Sequence, residues 1–314
     1  MKGLELSKSF YKEFGEKMLK ENFPDLLPRL AVGLIGAGSE CFSYDDDVSI
    51  DHDFDPGFLI FVPNDIDESL VFKLKRAYAK LPMEYKGFKR EIMSPVGGNR
   101  RGVKRIADFL EEKIGSRDGN LSYIDFLRIP EESLAELTNG ELWKDDSKIL
   151  TNIRIKLFVM PRDVILKKLA GELLMMAQSG QYNFNRCIKH NEYGAARLAA
   201  YEFVNASLHA AFLLNEVYMP YYKWRFKALR SLSWPNDMVD FENKLVSLLC
   251  ISDKNINSSD TLNSIESISQ MILDRIKSDS LSKKDDLYLE PHAYEVNNKV
   301  VDNNLRNMHI LSAV

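Results

Sequence analysis

Asp51 and Asp53 flank His52, a spacing that suits metal chemistry. Alternate residues of an extended segment point the same way, so the two carboxylates aim at one place while His52 points elsewhere. Carboxylates that close repel each other, and both stay ionised when a cation sits between them. Hard oxygen ligands with open positions suit Mg²⁺, which completes its shell with water and substrate phosphates. Upstream stand Gly36, Gly38 and Ser39. The glycines let the backbone turn tightly and approach a ligand. Ser39 offers a hydroxyl and an N–H to a phosphate, and such turns form anion-binding nests. A phosphate binder followed by a metal pair reads as phosphoryl or nucleotidyl transfer. The alternative is that the aspartates only shape a turn, which Asp favours by bonding its own neighbouring backbone.

Those residues need elements to hold them. Short apolar runs at Ala31–Ile35 and Phe58–Val62, bounded by Gly and Pro, predict two buried strands around the Gly-Ser turn and the acidic loop. Helical spacing of apolar residues predicts an amphipathic helix over 4–21, which should pack on the sheet, and another over 68–81. A short strand is expected over 102–106 and a helix over 106–114, stopped by Gly115. Residues 82–102 are loop-like, and Arg90, Arg100, Arg101, Lys104 and Arg105 concentrate positive charge there. They could clamp a triphosphate or an acidic substrate; the alternative is a solvated basic loop. Asn139-Gly140 is a turn signal, and 140–146 reads as a hairpin.

Gly38-Ser39, an intervening loop and then Asp51-x-Asp53 resemble the signature of the nucleotidyltransferase superfamily of polymerase beta type. The fuller run Gly-Ser-Glu, Asp-Asp, Ser, Asp-His-Asp resembles one bacterial group within it, labelled domain of unknown function 4037. Gln178-Ser-Gly-Gln-Tyr-Asn183 and the stretch Asn215 to Trp224, with its Pro-Tyr-Tyr-Lys-Trp ending, are similar to that group too, so the resemblance runs from about Leu27 to Leu232. One departure is visible: the group leads one to expect Gly near position 43, where this chain has Cys41-Phe42-Ser43. The resemblance implies that Asp51 and Asp53 hold Mg²⁺ and that Gly38 and Ser39 hold the β- and γ-phosphates of a nucleoside triphosphate. It also implies a third carboxylate on a neighbouring strand. Asp125 is the candidate catalytic residue for that role, with Glu91 and Asp145 as alternatives and helix capping as the other use for Asp125. Lys223 is the candidate for a triphosphate contact, and Tyr222 or Tyr221 for stacking on a base; Arg186 and Lys189 are secondary candidates. The alternative has Tyr222 and Trp224 in the core and Lys223 in solvent.

With 314 residues the chain has room for two domains, and its 45% apolar content is that of a globular protein. Beyond about 150–162 the pattern becomes helical throughout: from Pro161 to Ser179, from Phe184 to Val217 with a break at 191–194, and over 220–232, 235–249 and 264–276. The expected class is α+β, with a nucleotidyltransferase-like mixed-sheet domain over 1–150 and an all-helical bundle over 151–314 ending in a polar tail. Ligands often bind at domain interfaces, so the cleft between the two is the expected site. A net charge of −4 advertises no overall basic surface. Cys41, Cys187 and Cys250 show no paired spacing and suit a reducing compartment. No secretory leader and no membrane-length apolar run is visible, so a cytoplasmic location is expected, with neither membrane nor DNA as partner. His190 and His209 share no metal-ligand spacing and read as structural.

The expected activity is Mg²⁺-dependent transfer of a nucleoside monophosphate to a hydroxyl or amine. Three readings of the acceptor stay open: a small molecule, a macromolecule such as RNA or a protein, and a nucleotide-binding protein without turnover.

Overall fold

A computed structural model describes residues 1–47, 54–90 and 100–314. The architecture is α+β, a small mixed sheet with helices and then a helical C-terminal region, as the sequence leads one to expect. The chain divides into two compact units: Met1–Asn120 with Ile129–Phe158, and Leu121–Arg128 with Val159–Val314.

The first unit opens with helix α1 (Gly3–Phe10), one wide π turn (Tyr11–Gly15) and helix α2 (Glu16–Asn22). Strand β1 (Ala31–Leu34) and strand β2 (Leu59–Val62) pair antiparallel, Val32 opposite Ile60. Both are buried at every position, so they read as unbroken apolar runs instead of alternating ones. Helix α3 (Glu68–Ala79) follows, capped by the Asp67 side chain on Ser69 N. A two-residue-strand hairpin, β3 (Glu84–Tyr85) and β4 (Phe88–Lys89), turns at Lys86-Gly87, where both residues have positive φ. Strand β5 (Gly102–Arg105) joins β2 in parallel and runs into helix α4 (Ile106–Ile114). Helix α5 (Tyr123–Arg128) belongs to the second unit. The chain returns with helix α6 (Glu131–Thr138), strand β6 (Glu141–Asp145) and helix α7 (Ile149–Lys156). The sheet order is β5-β2-β1-β6. Residues 140–146 are therefore not a hairpin: β6 pairs with β1, with a register shift at Val32/Gly33.

An aromatic core holds this unit together. Leu6, Phe10 and Leu19 of the N-terminal helices meet Val32, Phe58 and Ile60 from the sheet side and Leu74 and Tyr78 from α3. The Phe58 ring lies 5.1 Å from Tyr78, 5.2 Å from Tyr11 and 6.0 Å from Phe10, all in tilted or edge-on geometry.

In the second unit helix α8 (Arg162–Met176) is buried on nearly all sides, which explains its weak amphipathic pattern. The helix does not stop at Ser179: it widens into a π turn (Ala177–Phe184) and continues as α9 (Asn185–Lys189). The break does fall at Asn191, which has positive φ, before the Ala-rich helix α10 (Tyr193–Leu214). One tight turn (Tyr222–Trp224) leads to helix α11 (Arg225–Leu229); helices α12 (Met238–Leu249) and α13 (Ser259–Ser278) follow. The C-terminal stretch is not a loose polar tail. Helices α14 (Leu289–Asn297) and α15 (Asn303–Asn307) bury Leu289, Ala293, Val296 and Leu305. Lys167 of α8 is buried because this segment satisfies its ammonium, with Asn297 Oδ1 at 2.9 Å and the Met308 carbonyl at 2.7 Å.

Candidate functional site

The Gly-Ser turn leaves the end of β1 with positive φ at Gly36 (112°) and Gly38 (128°). An ideal Cβ on Gly38 would lie 2.5 Å and 2.6 Å from the Glu40 carboxylate oxygens, so only glycine fits. Ser39 begins a single tight turn (Glu40–Phe42), and its carbonyl accepts from Tyr44 N at 2.8 Å. The N–H groups of Gly38 and Ser39 donate to no described backbone or side-chain acceptor. They stand where an anion could be received.

This turn is held from outside. Asn139 grips the Gly36 peptide at both ends: its Oδ1 accepts from Gly36 N at 2.9 Å and its Nδ2 donates to the Gly36 carbonyl at 2.8 Å. Gly140 N donates to the Cys41 carbonyl at 2.8 Å. Arg154 of α7 closes the end of α6, with Nε on the Leu137 carbonyl at 3.0 Å and its fork on the Thr138 and Asn139 carbonyls. A cation suits the negative end of a helix. Burial lowers the Arg154 pKa from its ordinary value.

Beneath the turn lies a buried ion pair. Arg101 Nη2 donates to Glu40 Oε1 at 2.7 Å, with the side chains 6% and 8% exposed. Burial alone would lower the Arg101 pKa; the surrounding acidic groups, Glu40 foremost and Asp55 with it, together outweigh burial and the net shift is upward. Burial also pushes the neighbouring Cys41 thiol well above its ordinary value.

The acidic segment is anchored at its two described ends. Asp45 is buried and takes Gly3 N, the first turn of α1, on Oδ2 at 2.8 Å, with the Lys2 ammonium 3.6 Å from Oδ1. Asp55 accepts from Gly57 N at 2.5 Å, and the Ser7 hydroxyl donates to the Asp55 carbonyl at 3.3 Å. Helix α1 therefore touches both ends of the stretch that carries Asp51 and Asp53.

Asp51, Asp53, His52 and Glu91 lie outside the described residues. Asp125 is not on a strand. It sits in the first turn of α5, partly exposed, and its Oδ2 accepts from Ser122 N at 2.8 Å and Ser122 Oγ at 2.7 Å. Those hydrogen bonds hold its carboxyl below the usual range. The capping use is thus the one its surroundings serve. Asp145 ends β6 beside β1 but caps α7, accepting from Thr151 N at 2.7 Å. Among the described residues no three His, Cys, Asp or Glu side chains form a metal site. By donor chemistry the carboxylates of Asp51 and Asp53 are of the type a hard divalent ion takes, while Asp45 and Asp55 accept from backbone N–H groups.

Among the described residues Arg90, Arg101, Lys104 and Arg105 are tied to protein acceptors and not left as a solvated basic loop. Arg90 is buried with its Nη2 on the Tyr78 and Ala79 carbonyls at the end of α3, and Arg105 reaches the Ile66 carbonyl at 2.9 Å and Glu68. Lys104 pairs with Glu112 at 2.7 Å. In the second unit Tyr221, Tyr222 and Lys223 are exposed; the two tyrosine rings are 4.4 Å apart, and the Lys223 ammonium lies 4.6 Å from the Trp224 ring centre. Arg186 packs on Tyr182 at 5.1 Å and Lys189 ends α9. His209 Nδ1 meets the buried Glu172 carboxylate at 2.6 Å.

Asn139, Arg154 and the Glu40–Arg101 pair are the residues that sequence reasoning missed as supports. Asn139-Gly140 was legible only as a turn, and Glu40 only as part of the Gly-Ser-Glu run.

Residues 126–225 match the family model described as "Domain of unknown function (DUF4037)". The matched stretch includes Gln178–Asn183 and Asn215–Trp224 and does not reach the Gly36–Ser39 turn. No curated protein matches this chain. No helix among the described residues is long and apolar enough to cross a membrane.

Proposed function

We propose that the chain is a Mg²⁺-dependent nucleotidyltransferase of polymerase beta type. It moves a nucleoside monophosphate from a nucleoside triphosphate to an acceptor hydroxyl or amine. The observation that carries the reading is the β1 turn, where the N–H groups of Gly38 and Ser39 have no acceptor among the described residues and precede Asp51 and Asp53 by a short loop in the sequence. In this reading Gly38 and Ser39 bind the β- and γ-phosphates, and Asp51 and Asp53 hold Mg²⁺, which neutralises phosphate charge. The acceptor atom forms a bond to the α-phosphorus, the bond from that phosphorus to the bridging oxygen breaks, and pyrophosphate leaves with the electron pair. The acceptor proton passes to solvent or to a base. Positioning and charge neutralisation account for most of the rate in such transfers. Lys223 and Tyr222 are the proposed contacts to triphosphate and base. A small-molecule acceptor is favoured over nucleic acid, because among the described residues Arg90, Arg101, Lys104 and Arg105 are each tied to protein acceptors.

The test uses purified protein, Mg²⁺ and each α-labelled nucleoside triphosphate, with cell extract as acceptor pool and Asp51→Ala/Asp53→Ala as control. Label transfer by the wild type alone supports the proposal, and the product's size gives the acceptor class. Mg²⁺-dependent nucleotide binding without transfer would replace it with a nucleotide-binding role, and absence of both would end it.

A further inference from the structure

Glu40 poses an electrostatic problem that the proposed reading does not solve. Its carboxylate lies folded against Gly38, where a Cβ would meet both oxygens within 2.6 Å. A negative charge directly beneath a turn that is to receive phosphates opposes their binding. Arg101 answers it. The guanidinium is buried, so its charge acts on Glu40 with little screening from water. Among the described residues Arg101 makes one carboxylate hydrogen bond: Nη2 holds Glu40, Nη1 donates to the Arg100 carbonyl at 3.3 Å, and Nε has no hydrogen-bond partner. Its side chain passes Gly57, where a Cβ would come within 3.0 Å of Arg101 Cγ, 2.9 Å of Asp55 Oδ1 and 3.1 Å of the Tyr78 hydroxyl. Arg101 thus runs from the start of β5, past the chain that enters β2, to the underside of the Gly36–Ser39 turn.

We propose that Arg101 is a positioning residue. It neutralises Glu40 and fixes the Gly36–Ser39 turn against the entry to β2, and it does not itself bind the triphosphate. The inference rests on reading this turn as a phosphate site. It differs from a clamp in what it requires. A clamp loses affinity whenever its positive charge is removed. A positioning pair loses affinity when Arg101 alone is removed, because Glu40 is left buried and bare, and regains it when both charges go.

The experiment measures Mg²⁺–ATP and inorganic tripolyphosphate binding by calorimetry for the wild type, Arg101→Gln, Glu40→Gln and Glu40→Gln/Arg101→Gln. Hydrogen exchange of the peptide spanning 36–44 is measured alongside. The expected result is a loss of about tenfold or more for R101Q, tighter binding for E40Q, which removes the negative charge beneath the turn, and recovery toward wild type in the double variant. Exchange in 36–44 should rise in R101Q and fall back in the double variant. A double variant as weak as R101Q would make Arg101 a clamp and overturn the inference. So would R101Q binding like the wild type, or equal weakening in E40Q and R101Q, which marks a merely structural pair. A wild type that binds neither ligand would count against the phosphate reading instead, and the exchange pattern alone then decides whether the pair sets the turn. Should R101Q not fold, Arg101→Lys against E40Q gives the same comparison: the retained charge keeps binding above that of a bare Glu40, and a loss larger than tenfold in R101K would point to the guanidinium itself touching ligand.

Discussion

Asn139→Ala removes both grips on the Gly36 peptide, at 2.9 Å and 2.8 Å, without touching the turn itself. Each hydrogen bond contributes about 1 kcal/mol net, and a half-buried N–H left without a partner costs about as much again. The expected loss is therefore about 2–3 kcal/mol. For a unit of this size that corresponds to a fall in melting temperature of roughly 4–10 °C. Urea unfolding gives the free energy, and hydrogen exchange at Gly36 shows whether the loss is local. Asn139→Asp sharpens the test. It keeps the acceptor for Gly36 N and sets a second oxygen against the Gly36 carbonyl. At neutral pH it should be at least as damaging as the alanine. Below about pH 4 its carboxyl becomes a donor, and N139D should recover relative to N139A. A cost under about 0.5 kcal/mol for N139A would refute the reasoning, since the turn would then be set by its glycines alone.

Other expectations follow from the same geometry. Gly38→Ala forces a β carbon onto the Glu40 carboxylate at positive φ; it should cost about 3 kcal/mol and abolish Mg²⁺–ATP binding, read by thermal melts and calorimetry. Asp125→Ala should cost about 1 kcal/mol through the lost cap on Ser122 and leave Mg²⁺ affinity unchanged, which separates capping from metal binding in a titration. Tyr78 is buried with its hydroxyl donating to the Phe58 carbonyl at 2.8 Å, and burial pushes its pKa up to about 12 from 10.0. Folding thus holds a proton that the unfolded chain releases, so this contribution is whole below pH 10 and is lost as pH rises to about 12, up to roughly 3 kcal/mol. Tyr11 and Tyr288 are raised to about 12 as well, so unfolding should steepen above pH 10 in both proteins but less in Tyr78→Phe than in the wild type, and equal pH slopes would contradict it.

What the sequence could reveal follows the range of the forces involved. The strands β1 and β2, the helix over 68–79 and the stop at Gly115 are written in local apolar runs and in residues with positive φ, and each was legible. Residues 121–129 misled because Tyr, Ile and Phe suit strands, while the Ser122–Asp125 capping pair decides for a helix. The polar tail misled for a different reason. Its apolar residues are sparse, yet Leu289, Val296 and Leu305 fall where α8, buried on nearly all sides, needs covering. The basic residues of 90–105 carried no sign of their partners, because a backbone carbonyl leaves no mark in a sequence: Arg90 ends α3 and Arg105 closes the loop before it. The candidate site divides the same way. Gly36, Gly38 and Ser39 announce a turn by residue type. Asn139 acts on that turn from more than a hundred positions away, and Arg154 holds the end of α6 that carries Asn139, both through hydrogen bonds to peptide groups that any residue would present. On the proposed function the turn must keep its shape when empty, or the binding energy goes into ordering it. The residues that supply that rigidity are the ones that pattern reading passes over, and in this chain they are Asn139, Arg154 and the Glu40–Arg101 pair.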